Sequence, residues 1–320
     1  MNPADFVEAR RRIEAKPRGV RDKRLSAADA AALVRDGDVV ALGGCCFSRP
    51  PLLLLRELLR QDRRHLTLAR NLMATEPEWF LVTGAVDALI TSWMGPGLPW
   101  GLSRPLRHYV ERGEVRFEEW SHLGIGLRFR AAAMGMPFLP TQVMLGSDLP
   151  GGGEAKTMAC PFTGETLNLV PALFPDVALL HVHRADRFGN CQIDGYTHMD
   201  ADIASAATTV LVQAEEIVDD DRVKREPDRT VIPAFVVDAV VEAPFGAFPG
   251  ECYGLYETDF AHYDGYAAAQ AENPLDGVRA YLDQYVYGPA TQEAYLALFG
   301  PETLARQQAA ARELVGGESA

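Results

Sequence analysis

No apolar run in this sequence is long enough to cross a membrane. The longest stretches, such as 52–55 and 177–180, fall far short of the roughly 20 residues a spanning helix needs. Cysteine is scarce and odd in number: Cys45, Cys46, Cys160, Cys191 and Cys252, with no C-x-x-C spacing. A disulfide framework and a zinc site both lack support. The neighbours Cys45 and Cys46 cannot bridge each other without strain. They read as small reduced side chains beside a Gly-Gly turn, with a thiol nucleophile as the lesser reading. Walker A, H-E-x-x-H and G-x-S-x-G motifs are missing. The dinucleotide fingerprint fails too, because Gly124-Ile125-Gly126 is followed by Phe129 where the third glycine belongs. There is no internal repeat and no low-complexity linker. No secretory apolar segment opens the chain, so the expected location is the cytoplasm.

What is present is an ordinary packable composition, with 48% apolar and 23% charged residues over 320 positions. That length fits two domains or one large α/β domain. The net charge of −13 is uneven. Residues 1–130 carry 21 basic and 16 acidic side chains, whereas residues 131–320 carry 10 and 28. The acidic half excludes bulk nucleic-acid binding, which needs clustered Lys and Arg. The basic half suits solvent, an anionic substrate or a companion chain.

Short apolar strands alternate with helical patterns. A capping-type Ser26 opens a helix that Gly37 ends. Strand 39–42 runs into the turn 43–49, and Pro50-Pro51 opens a helix to about residue 61. Further strands are expected at 66–69, 88–91, 115–120, 167–170, 177–182, 209–213 and 235–242, with helices at 77–82, 103–113 and 123–134. Residues 274–314 read as a helical C-terminal cap, and 1–24 as an N-terminal arm before a domain spanning 25–320. The predicted class is α/β: an open, mostly parallel sheet with helices on both faces. Ligands of such sheets sit at the carboxyl ends of strands, so the segments after residues 42, 91 and 183 are the places to look.

His181 and His183 lie two apart on one predicted strand, near Asp186, Asp194 and His198. That spacing permits metal ligation, but a structural role is the commoner one, and no metal is expected. The segment 151–156 resembles a phosphate cradle without its flanking strand and helix, so a plain loop is the simpler reading.

Several segments together resemble the α-type chains of family I CoA-transferases, the glutaconate-type enzymes above all. They are Gly37-Asp38-Val39-Val40-Ala41-Leu42-Gly43-Gly44, Ser48-Arg49-Pro50, Leu102-Ser103-Arg104-Pro105, Ala131–Pro140 into Met144-Leu145-Gly146-Ser147, His181 with Asp186–Asn190, Val237–Pro244, and Cys252–Tyr256. The resemblance spans roughly residues 25–300. It implies a seven-stranded open α/β subunit whose active site is shared with a homologous β subunit, in an αβ or α2β2 assembly. It also implies ping-pong chemistry in which a glutamate of the β subunit attacks the acyl-CoA thioester. That glutamate sits in a Ser-Glu-Asn-Gly-like turn, which this chain lacks. The chain is therefore expected to supply walls and hydrogen-bond donors, with CoA thioester as substrate and no further cofactor. Backbone N–H groups stabilise the oxyanion of such an attack. By this resemblance Gly43, Gly44 and Cys45 are the first candidates and Gly146 and Ser147 the second, while Ser48 and Arg49 are expected at a substrate carboxylate.

Two departures matter. Gly97 stands where the glutaconate enzymes have a substrate-contacting serine, within the apolar segment 93–100. A bulkier, more apolar acyl group is the expectation. In the related steroid ring-opening acyl-CoA hydrolases an acid of the α chain does the proton work, and His122 occupies its position here. His122 is the candidate catalytic base of that alternative reading. A non-catalytic structural subunit is the third reading.

Overall fold

A computed structural model describes residues 3–97, 99–149 and 156–316. Its centre is seven parallel strands: β1 (Val39–Leu42), β2 (Leu66–Ala69), β3 (Val86–Thr91), β4 (Arg116–Glu119), β5 (Val177–Asp186), β6 (Thr209–Val218) and β7 (Ala239–Glu242). They are ordered β4-β3-β2-β1-β5-β6-β7, all pairs parallel. The short antiparallel strands Cys191–Gln192 and Thr230–Ile232 lie beside the far half of β5 and bring the sheet to nine strands.

Alternation along each strand divides the core. Val40, Leu42, Leu179 and Leu211 enter one cluster, and Ala41, Ala178, Leu180, Val210 and Val212 enter the other. Helix α1 (Leu52–Arg60) covers the first cluster together with helices Glu76–Val82 and Pro274–Leu282. Helices α2 (His122–Ala133) and α3 (Asp200–Ala206) cover the second. Both faces are dry, so all ten residues of β5 are buried. Helices at Pro274–Leu282, Gln292–Ala297 and Pro301–Gly316 occupy the region read as a helical cap.

Three local expectations differ. The N-terminal arm contains a helix, Pro3–Glu14. Contacts across the fold anchor the arm: Arg12 pairs with Asp176 at 3.1 Å and Lys16 with Asp238 at 2.5 Å. The strand expected at 235–242 begins only at Ala239, because Pro233 leads into a tight turn at Ala234–Val236. Residues 138–171 carry a separate antiparallel sheet, Phe138–Thr141, Thr166–Pro171 and Lys156–Ala159, of which the sequence pattern marks only the stretch near 167–170. Lys156–Ala159 is exposed throughout, so it has no apolar alternation to read. The phosphate-cradle candidate 151–156 lies outside the described residues except for Lys156.

Candidate functional site at the switch point

β1 and β5 are neighbours from which the chain winds in opposite directions, which opens a crevice at their carboxyl ends. Residues 43–49 line it. Apart from that of Phe47, their N–H groups are already committed to oxygen acceptors within the chain. Gly43 donates to Leu179 O (2.9 Å), Gly44 to Asp200 Oδ1 (2.7 Å), Cys46 to Leu72 O (3.0 Å) and Arg49 to Glu251 O (2.9 Å). Cys45 and Ser48 exchange backbone bonds at 2.9 and 2.8 Å. The donation to an oxyanion expected of Gly43, Gly44 and Cys45 thus differs from what their N–H groups do here. Only glycine fits at position 44. Its φ is +67°, and a Cβ would lie 2.1 Å from Ser48 O.

Two buried arginines hold this loop from behind. Arg49, 1% exposed, donates from Nη1 to Asp200 Oδ2 (2.6 Å) and His181 O (2.6 Å), and from Nη2 to Tyr196 O (2.8 Å). The carboxylate contact expected of Arg49 is therefore made to Asp200, inside the chain. Arg70 pairs with Glu76 (2.7 Å) and donates to Cys46 O (3.1 Å). Burial pushes the Cys45 thiol pKa up and that of Cys46 to about 11, against the pull of Arg70, so both are protonated thiols at neutral pH.

Side chains remain to face the crevice. Ser48 Oγ lies 3.1 Å from His198 Nε2. His198 has φ +49° and leads into α3. Burial first, then the Arg49 guanidinium, push its pKa down to about 4, with Arg70 and His122 adding to the effect and Asp200 opposing it. His122 thus lies within electrostatic reach of His198, exposed at the start of α2, which Ser121 caps. Met199 fills the space beside Gly126 of α2, and Met144 that beside Gly124. Met144 leads the turn that carries Gly146 and Ser147, so this second candidate segment adjoins the same corner. Gly146 (φ +75°) and Ser147 are exposed, and Ser147 Oγ donates to Met144 O at 2.9 Å. Gly97 has φ +123°, and a Cβ there would meet the Trp100 ring at 3.0 Å and the Phe47 ring at 3.3 Å. The Phe47 ring also lies 4.4 Å from Tyr263 and 6.1 Å from Phe260. Position 97 is thus walled by aromatic rings.

The β5 histidines take separate partners. Gln213 accepts from Leu54 N–H through Oε1, so its Nε2 donates to His181 Nδ1 (2.9 Å), and His181 Nε2–H donates to Glu215 (2.7 Å). Glu215 also accepts from Tyr256 O–H (2.5 Å) and from the N–H groups of Phe245 and Gly246. His181, Glu215 and Cys252 bring ligand-type atoms within 4.8 Å of one another, but these hydrogen bonds already satisfy the carboxylate without an ion. His183 donates from Nε2 to Tyr253 O (2.9 Å) and accepts Asp194 N–H at Nδ1 (3.2 Å). Burial above all pushes the His183 pKa down to about 4.

That shift carries a pH dependence. The unfolded chain binds the His183 proton near pH 6.5, whereas the folded chain refuses it until about pH 4. Between those values the unfolded state holds more protons, so stability rises with pH across this window and is lost on acidification. Urea midpoints of wild type and His183→Gln, taken from pH 7 to pH 4.5, are expected to show a steeper acid loss in wild type. Equal slopes would refute the assignment.

Residues 24–243 match the sequence profile of the Coenzyme A transferase family. The chain belongs to this family. An uncharacterized protein of Archaeoglobus fulgidus is 38% identical over 301 residues, covering 93% of this chain and 66% of that protein's length. The A-type chain of glutaconate CoA-transferase from Acidaminococcus fermentans is 32% identical over 301 residues, covering 88% of this chain and 93% of that one. The crystal structure of that glutaconate coenzyme A-transferase superposes with a TM-score of 0.85 over 89% of this chain and 95% of its counterpart. The IpdA component of the cholesterol ring-cleaving hydrolase of Rhodococcus jostii is 32% identical over 263 residues, covering 76% and 86%. This CoA-transferase chain is of the A, or α, type.

Sequence reasoning points to the 43–49 loop, His122 and Gly97 as candidates, and does not point to Asp200, Arg70 or Glu76, which hold that loop. An acid buried against an arginine some 150 positions away leaves no local pattern. His198 stands out in the sequence only as a possible metal ligand. Its place beside Ser48 depends on the return of the chain after Gln192.

Proposed function

We propose that this chain is one half of a two-subunit CoA-transferase, αβ or α2β2, that moves CoA between carboxylic acids with a partner glutamate as nucleophile. The carrying observation is that the two acids whose carboxylates bond the crevice loop or the arginines behind it, Asp200 and Glu76, are both consumed by buried arginines. Neither is free to attack a thioester, so this chain contributes a rigid wall and polar side chains. Gly146 and Ser147 border the same wall. The partner completes the site, CoA thioester is the substrate, and no further cofactor is called for. A cytoplasmic location suits acyl-CoA chemistry; among the described residues no helix is long and apolar enough to cross a membrane. The rings around Gly97 favour an apolar acyl group over a short dicarboxylate, because no serine hydroxyl fits there without displacing Trp100.

The test is to co-purify the pair, add acyl-CoA and trap the thioester with borohydride or hydroxylamine. An adduct on the partner glutamate is expected. An adduct on the isolated chain, abolished by Glu251→Gln (an acid whose charge reaches Cys45), would sink the proposal. A second reading, ring-opening hydrolysis through His122, is supported by that imidazole lying within electrostatic reach of His198 at the exposed start of α2. It requires turnover with no adduct, and loss of that turnover in His122→Ala.

A further inference from the structure

We infer that Ser48 is the hydrogen-bond donor this chain offers to the reacting acyl oxygen, and that His198 is the positioning residue that aims it. The inference rests on the CoA-transferase reading, and it assigns a role to a residue pair that the family match alone does not.

Three observations carry it. The first is the hydrogen-bond count of the loop: the N–H groups of Gly43, Gly44, Cys45, Cys46, Ser48 and Arg49 all have oxygen acceptors within the chain, and that of Phe47 faces the Cys46 thiol. With six of the seven backbone donors taken, an oxyanion arriving here calls for a side-chain donor, and preorganised donors are a major source of rate in acyl transfer. The second is the 3.1 Å contact between Ser48 Oγ and His198 Nε2. With the ring proton on Nε2, the imidazole donates to Oγ and leaves the Ser48 hydroxyl hydrogen free to point outward. The third is the electrostatic setting. Burial first, then the charges of Arg49, Arg70 and His122, disfavour protonation of the ring, with Asp200 the one opposing charge among the groups that shift its titration. This field keeps the imidazole neutral. It also makes the ring too weak a base to take the hydroxyl proton, which argues against a serine nucleophile activated by His198.

No covalent step is assigned to the pair. The thioester C–S bond breaks on attack by the partner carboxylate, and Ser48 only stabilises the oxygen that carries the transient charge.

The experiment uses the co-purified complex and the acyl-CoA that gives the partner adduct. Ser48→Ala is expected to lower kcat by roughly 100-fold with a small change in KM, the signature of a lost oxyanion donor. His198→Ala is expected to cost less, and His198→Gln, which keeps an N–H donor and cannot act as a base, to recover most of the rate. If His198→Gln is as slow as His198→Ala, the ring works as a base and the inference is overturned. If all three variants turn over like wild type, it is overturned as well. A readout independent of turnover is the 15N NMR tautomer of His198 in the resting complex. A protonated Nε2 is expected, and a bare Nε2 facing Ser48 would refute the geometry even if no transfer activity were found. Absence of adduct in wild type condemns the transferase reading. An intact adduct with unaffected variants condemns only this inference.

Discussion

Asp200→Ala is expected to destabilise the chain by about 3–5 kcal/mol, measured as a shift of the urea midpoint at pH 7. The reason is the guanidinium it strands. Arg49 is 1% and Asp200 0% exposed, and among the described residues their 2.6 Å contact is the only ion pair either makes. Removing the carboxylate leaves a charge in the interior with two carbonyl acceptors, His181 O and Tyr196 O, and orphans the Gly44 N–H as well. The double change Asp200→Leu with Arg49→Met is expected to recover part of the loss. It removes both charges at similar volume, and such replacements are often neutral or stabilising. Activity is not expected to return with stability, because Gly44 would still lack its acceptor. A loss below about 1 kcal/mol in Asp200→Ala would mean that Arg49 can turn outward and would revive its reading as a ligand for a substrate carboxylate.

The same pair shows how far the sequence can be read. The alternating strands, the Pro50-Pro51 helix start and the crevice after β1 follow from period, caps and the behaviour of parallel sheets, all of them local signals. The family resemblance, carried by segments in fixed order, then points to Gly43, Gly44, Ser48 and Arg49. All of these belong to the segment that follows β1. What each one does there is less legible. An arginine next to a Gly-Gly turn reads equally as a substrate clamp or as an internal strut. The choice depends on Asp200, brought back only after the chain has passed through β5 and its antiparallel neighbour. The glycine N–H groups pose the same problem, since their acceptors, Leu179 O and Asp200 Oδ1, are equally remote. His198 escapes because nothing near it in the chain distinguishes a surface histidine from one set against a serine 150 positions earlier. The antiparallel strand at Lys156–Ala159 escapes because a strand exposed on both faces has no hydrophobic alternation.

Gly44→Ala is expected to abolish turnover of the complex, by at least about 100-fold in kcat/KM, while leaving the sheet folded. Two costs add at this position. An L-residue at φ +67° pays about 1–2 kcal/mol for its left-handed backbone. The new Cβ must also displace backbone, because its nearest neighbours are Ser48 O at 2.1 Å and Arg49 O at 2.7 Å, neither of which ends a flexible side chain. Relief requires the 45–48 turn to open, and that turn carries Ser48 toward His198. Gly113→Ala is the control. Gly113 shares the left-handed backbone, at φ +68°, but a Cβ there meets nothing within 4 Å. It should therefore pay only the backbone cost, seen as a modest midpoint shift with most activity kept. The contrast separates the two explanations for a glycine at this turn. If both variants lose activity equally, left-handed backbone is the whole requirement at position 44. If only Gly44→Ala does, close approach of the Ser48 carbonyl sets the geometry of the site.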